Sequence, residues 1–238
     1  MKDQYFGDIN DYRKYGLLRT LAGAGLSVGV CWLLTCDDGG GDGELWNYLT
    51  KPWRWRKYDP ELYDRLQRLQ HPGACRSVRY ARECGLISGA TYFDQLLSDA
   101  ADQRDSYFRA AFAALARRHV IFFDPDIGIE VSSTQRGQRG SARYIYWTEL
   151  QEAYTTGHSL LVYQHFPRVD RARFVPFLAD ALGEQLGASA VMAFVTSHVS
   201  FFLVPQTQHG VALAKAMETM RLRWRGQIDV WQPIEEGL

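Results

Sequence analysis

A three-layer, Rossmann-like α/β fold is predicted by three observations, with a mostly parallel sheet and an antiparallel strand near the C-terminal end. Apolar runs without alternation, such as Val120-Ile121-Phe122-Phe123, read as strands buried on both faces. Helical-period stretches fall between these runs, so strands and helices alternate along the chain. Polar turns follow the strands at their carboxyl ends, where open α/β sheets bind ligands. No repeat, low-complexity tract or linker interrupts the pattern, so 1–238 is read as a single α/β domain.

The elements follow in order. Tyr12, Tyr15, Leu18 and Leu21 share one face of a helix over 11–21, with Asn10 as its cap and Gly23 and Gly25 at its end. Val28 to Leu34 reads as the first buried strand and delivers the chain into Asp37-Asp38-Gly39-Gly40-Gly41-Asp42-Gly43, whose glycines permit unusual backbone conformations. Asp59-Pro60 starts a helix that runs to Leu69. Residues 76–81 suit a short strand, and Ser88 to Phe93 leads into another helix. The helix over 104–118 carries Phe108, Phe112 and Leu115 on one stripe and feeds the 120–123 strand. Residues 132–141, rich in Ser, Gly, Gln and Arg, form a surface loop. Leu160 to Tyr163 is the next strand, followed by a helix over 171–186, strands over 190–195 and 201–204, a helix over 210–224 and a last strand over 228–231.

Composition restricts the function classes. With 46% apolar and 13% aromatic residues in 238, the chain can bury a large core. Lys plus Arg and Asp plus Glu are equal at 27 each, so any polyanion must be met by a local patch rather than by a global field. The candidate patch is Trp53-Arg54-Trp55-Arg56, which either stacks on single-stranded nucleic acid or covers the sheet edge as amphipathic packing. Cys31, Cys36, Cys75 and Cys84 form no C-x-x-C pair and read as reduced core thiols. The start, Met1-Lys2-Asp3-Gln4, has no signal-peptide pattern, and no run of roughly 18 apolar residues occurs. A cytoplasmic protein with no membrane partner is therefore expected, and nothing in the sequence sets its oligomeric state.

The densest chemistry lies in Asp124-Pro125-Asp126-Ile127-Gly128-Ile129-Glu130, directly after a buried strand. Three carboxylates in seven residues suit a metal, or hydrogen bonds from a substrate amine or hydroxyl; the alternative is an Asp-Pro turn with a helix cap. Three other segments should meet it along one sheet edge: the glycine loop 36–43, the Gln164-His165 turn and the Ser197-His198 turn. The segment from Tyr5 to Lys14 would fold over them. The loop lacks both the dinucleotide and the P-loop glycine spacing, and its aspartates would repel a phosphate.

In layout the chain resembles class I methyltransferase-like proteins, nearest the 23S rRNA adenine-N6 methyltransferases. Gly7, Asp11 and Lys14 before Leu17-Leu18 look like that family's N-terminal stretch, and Cys36 to Gly41 looks like its cofactor loop. Ser88-Gly89-Ala90-Thr91 is similar to its small-residue turn, Arg117-Arg118 with Asp124-Pro125-Asp126 to its paired arginines and catalytic tetrapeptide, and Val195-Thr196-Ser197 with Phe202 to Pro205 to its closing strands. The tetrapeptide's second proline and aromatic are replaced by Asp126 and Ile127, and Thr35 stands where the family has an acidic residue.

The resemblance implies S-adenosylmethionine held by Asp37, Asp38, Gly39, Gly41 and Ser88, with an amine entering near Asp124. Catalytic candidates are Asp124, Asp126, His165 and Lys14, with Tyr5, Phe6 or His165 stacking on a base. A second class places Mg²⁺ or Mn²⁺ on Asp124, Asp126 and Glu130, with Asp37 and Asp38 as further ligands, for phosphodiester hydrolysis; His165, Lys14 or Arg168 would stabilise the developing charge. A third is a binding domain that keeps the fold without the chemistry.

Overall fold

The computed structural model describes residues 1–40, 43, 45–68 and 76–233. Gly41, Asp42, Leu69 and Cys75, named above, lie outside the described residues. The elements are α1 (Ile9–Gly23), β1 (Val28–Cys31), α2 (Pro52–Trp55), α3 (Pro60–Gln67), α4 (Arg79–Glu83), β2 (Thr91–Phe93), α5 (Ala101–Leu115) and β3 (Val120–Phe123). They continue with β4 (Gly128–Ile129), β5 (Tyr144–Ile145), α6 (Trp147–Thr155), β6 (Ser159–His165), α7 (Arg171–Leu186), β7 (Met192–Val195), β8 (Val199–Val204), α8 (Gly210–Arg223) and β9 (Asp229–Trp231).

Seven strands form one sheet in the order β2-β1-β3-β6-β8-β7-β9, and β4 pairs with β5 in a small separate ladder. The pairs β2/β1, β1/β3 and β3/β6 are parallel, while β8 is antiparallel to both β6 and β7, and β9 is antiparallel to β7. Thus β7 returns to the direction of the parallel half, and its carboxyl end shares their edge.

The lack of alternation in β3 has its reason in two cores. Val120 and Phe122 face one apolar cluster with Tyr12, Leu18, Leu213 and Trp224, whereas Ile121 and Phe123 face another with Phe108, Leu150 and Leu182. Helices α1, α3 and α8 therefore cover one face, and α5, α6 and α7 the other, giving three layers. The contact between α1 and α8 depends on Gly16, where an added Cβ would lie 2.0 Å from Trp224 Cζ2. No helix among the described residues is long and apolar enough to cross a membrane.

Several elements differ from expectation. Residues 76–81, expected as a strand, enter the short helix α4, because Val78 and Ala81 bury one side of a turn rather than alternate faces. Ser88-Gly89-Ala90 opens β2 rather than a helix; Thr91, Tyr92 and Phe93 pair with Gly29, Val30 and Cys31. Helix α6 was not anticipated, although Trp147, Leu150 and Tyr154 recur at helical spacing. Asn10 does not cap α1. Asp8 does, its side chain accepting from Asp11 N, and Asn10 sits inside the first turn.

Candidate functional site

Strand β1 connects onward to β2 on one side of it while β3 lies on its other side, so the strand order reverses between β1 and β3. Beyond the carboxyl ends at such a point the loops diverge and leave a crevice. Pro125 ends β3 there: it has no N–H to continue a ladder and holds Asp124 extended. Asp124 N still donates to Cys31 O at 3.0 Å, which locks the acidic turn to the end of β1.

Helix α1 supplies the opposing charge. Gly7, at φ 86°, turns the chain into the Asp8 cap, and its N–H donates to Asp11 Oδ2 at 2.9 Å. One turn on, Lys14 Nζ bonds Asp11 Oδ1 at 2.6 Å and Asp124 Oδ2 at 2.7 Å, all three side chains being buried. The Lys14 ammonium also lies 5.5 Å from the ring centroids of Trp32 and Tyr163. Asp126 faces a second ammonium, that of Met1, at 2.8 Å; the same nitrogen donates to Asp124 O at 3.0 Å and Leu33 O at 3.3 Å. Lys2 at 3.8 Å and Arg143 at 3.6 Å also face Asp126, and Thr35 Oγ1 donates to its Oδ2 at 3.4 Å.

These pairings set the protonation states. Burial drives the Asp124 carboxyl above its ordinary range, opposed by Lys14 and the terminal ammonium. Burial acts on Asp126 as well, but there the cations outweigh it and hold the carboxyl low. Lys14 is also desolvated, yet Asp11 and Asp124 raise it, so it is a fixed cation and not a base. Asp8, buried beside Asp11, is pushed up to about 7. His165 is lowered by desolvation and by nearby cations, against the pull of Asp126, and its Nε2 pairs with Tyr163 OH at 3.0 Å.

Around these groups lies a cavity of about 410 Å³, lined by Tyr5, Asp8, Asn10, Asp124, Tyr163 and His165 among others. Asn10 is 8% exposed, and its Nδ2 donates to Asp8 Oδ2 at 3.4 Å, while its Oδ1 has no partner among the described residues. A larger hollow, near 1080 Å³, opens by Arg19 and Ser88 at the opposite sheet edge, away from this chemistry.

The structure brings together Asp124, Asp126, His165 and Lys14, the four catalytic candidates, with Gly43 from the glycine loop on the same rim. His198 lies in an adjoining groove that shares Asn10, Leu45 and His165 with the cavity. Glu130 does not join the other two carboxylates: its Oε1 accepts from Trp147 N at 2.7 Å at the start of α6. Among the described residues no group of three or more His, Cys, Asp or Glu is placed to hold a metal ion. The cofactor candidates among the described residues do not converge either. Asp37 accepts from Gln4 N at 3.1 Å, Asp38 pairs with Lys2, Gly39 is in an exposed loop, and Ser88 lies at the other edge because it precedes a strand. Among the described residues, then, Glu130 stands apart from Asp124 and Asp126, and Ser88 stands apart from Asp37, Asp38 and Gly39.

Asp8, Asn10 and Arg143 belong to the pocket although no sequence motif assigns them to it. The three-residue step from Asp8 to Asp11 is an N-cap spacing and was the available signal. Arg143 ends the short 3-10 turn Ser141–Arg143 just before β5, which leaves no periodic trace.

Fold and site together define an α/β protein with a polar pocket at the switch point of its sheet. Neither a protein-family model nor a curated protein matches the chain. Among solved structures, it is similar to the crystal structure of protein LPL1258 from Legionella pneumophila str. Philadelphia 1, of family model DUF519. That likeness has a TM-score of 0.48 and 11% identity over 96% of each chain.

Proposed function

We propose that the protein binds a planar, amine-bearing ring of nucleobase type in the pocket between α1 and the acidic turn. The observation that carries this reading is the buried Oδ1 of Asn10, which has no partner among the described residues and belongs to a residue lining the same cavity as Asp124. A buried acceptor left without a donor costs about 1–3 kcal/mol, which an N–H of a ligand would recover. Asp124 lines the same pocket as a second acceptor, and the rings of Tyr5 and Tyr163 offer flat surfaces. With Lys14 and the terminal ammonium already paired to the carboxylates, the site suits a neutral hydrogen-bond donor better than a bare cation.

The amine accepted by Asp124 is also the group that the methyltransferase resemblance places there, so methyl transfer to an amine is the chemistry to test first. Titration calorimetry with adenosine, cytidine, guanosine and uridine examines the ring. The three amine-bearing nucleosides should bind at least about tenfold tighter than uridine, and Asn10→Leu should erase the difference. Equal affinities, or no binding at all, would remove the reading. S-adenosylmethionine titrated alongside separates a modifying enzyme from a binding protein.

A further inference from the structure

The groove adjoining the pocket has a different character. It encloses about 650 Å³ and contains Arg168, Arg171, His165 and His198. Neither arginine forms an ion pair among the described residues; Arg171 lies over the Phe166 ring at 4.8 Å, and both are exposed. Asp170, the acidic residue in the lining, caps α7 by accepting from Ala172 N at 3.0 Å, so the first turn of this 16-residue helix faces the groove. Arg13 adds charge from behind, its Nη1 donating to Ser197 Oγ at 3.5 Å next to His198. The groove is thus open, cationic and continuous with the pocket through Asn10, Leu45 and His165.

We infer that this groove is the phosphate subsite of the same ligand: a ring seated against Asn10 carries, one sugar away, a phosphate held by Arg168 and Arg171. The inference rests on the ring reading above and assigns its substrate class as a phosphorylated nucleoside. Two guanidiniums without an ion pair among the described residues suit a dianion, since several N–H groups can meet the phosphate oxygens, and they outnumber the one carboxylate, Asp170, in the groove lining. The buried Asn10 Oδ1, on the wall common to both cavities, is the independent sign that something enters here. The aspartates of the glycine loop, which would repel a phosphate, are not among the groove's lining; the groove lies at the β6 and β7 strand ends.

The test compares each nucleoside with its 5′- and 3′-monophosphates and with inorganic phosphate, in the wild type and in the double variant Arg168→Ala, Arg171→Ala. Both side chains are exposed, so the variant should fold. The phosphate should improve affinity about tenfold at low salt, and the gain should vanish in the double variant and shrink as salt rises. Nucleosides and nucleotides binding equally to the wild type would overturn the subsite and leave the ring reading standing. Inorganic phosphate binding that depends on the two arginines, with no nucleoside bound, would uphold the subsite and overturn the ring reading. No binding of any probe would overturn both. A single-stranded oligonucleotide in the same series identifies the source: a steeper salt dependence and tighter binding than the mononucleotide assign the phosphate to a strand.

Discussion

Lys14 Nζ and Asp124 Oδ2, 110 residues apart in the chain, lie 2.7 Å from each other with both side chains nearly sealed from solvent. The pair joins the first helix to the end of the central strand and fixes one wall of the pocket. Because two charges have already left water, removing either partner strands the other. Lys14→Met and Asp124→Asn should each lower unfolding stability by about 3–5 kcal/mol, and the double variant should lose clearly less than the sum. Asp11 also holds Lys14, at 2.6 Å, so the coupling measured by urea denaturation is that of the shared cation. Strict additivity would show that the contact contributes nothing.

Gly128 should be as hard to replace as the charges. It has φ 146°, and a Cβ there would fall 2.1 Å from Gln164 Oε1, which accepts from Ile129 N at 2.9 Å and ties the acidic turn to β6. Gly128→Ala should cost about 1–3 kcal/mol from overpacking and backbone strain together. Gly140→Ala is the control, having φ 86° but open space around it, and it should cost only about 1 kcal/mol. Equal losses in thermal unfolding would mean that the close approach to Gln164 is irrelevant.

How much was legible in the sequence follows from which residues carry strong local signals. Val120 to Phe123 announces a doubly buried strand because both neighbouring layers are apolar, and the acidic turn behind it then has only one edge to occupy. Ser88 shows the opposite case: a Ser-Gly-Ala turn looks alike before a strand or a helix, and the pairing of Thr91 with Gly29 decides the matter through tertiary contact. The sequence places Lys14 in a segment closing over the pocket, but the partner of its ammonium is set by tertiary contact. The sequence does not separate Asp8 from Asn10 because the two are equally good caps, and with Asp8 as the cap Asn10 falls in the first turn and lines the pocket.

The basic and aromatic stretch separates into two roles. Trp55 is 8% exposed and packs beside Tyr48 and Tyr58, with its carbonyl accepting from Tyr12 OH at 2.9 Å, whereas Trp53 is 77% exposed. Arg56 pairs with Asp64 through two bonds, at 2.7 Å and 2.8 Å. Trp55→Ala should therefore cost about 3–5 kcal/mol, and Trp53→Ala should stay within about 0.5 kcal/mol. If Trp53→Ala weakened binding of single-stranded nucleic acid without changing stability, stacking would be restored as the role of this patch; unchanged binding would leave amphipathic packing as its role.

Asp8 gives the pocket a titration near neutrality, and the sign of its effect is fixed by linkage. Its carboxyl is raised in the folded chain from 3.8 to about 7, first by burial and then by Asp11. Between those values the folded state keeps a proton that the unfolded state has released, so stability falls as pH rises from about 4 to about 7 and levels off above. Asn caps a helix about as well as Asp and has no such titration, so Asp8→Asn should match the parent near pH 4. It should then become progressively more stable than the parent up to pH 7 or 8, by at most about 4 kcal/mol. The carboxyl of Asp126, held low, loses its contribution only as pH falls below the ordinary carboxylate range, and it is common to both proteins, so it cancels from the difference. Thermal unfolding of parent and variant from pH 4 to pH 8 measures that difference directly. Two parallel profiles would mean that Asp8 is ionised throughout, and the pocket would then hold one more negative charge than a protonated Asp8 leaves there.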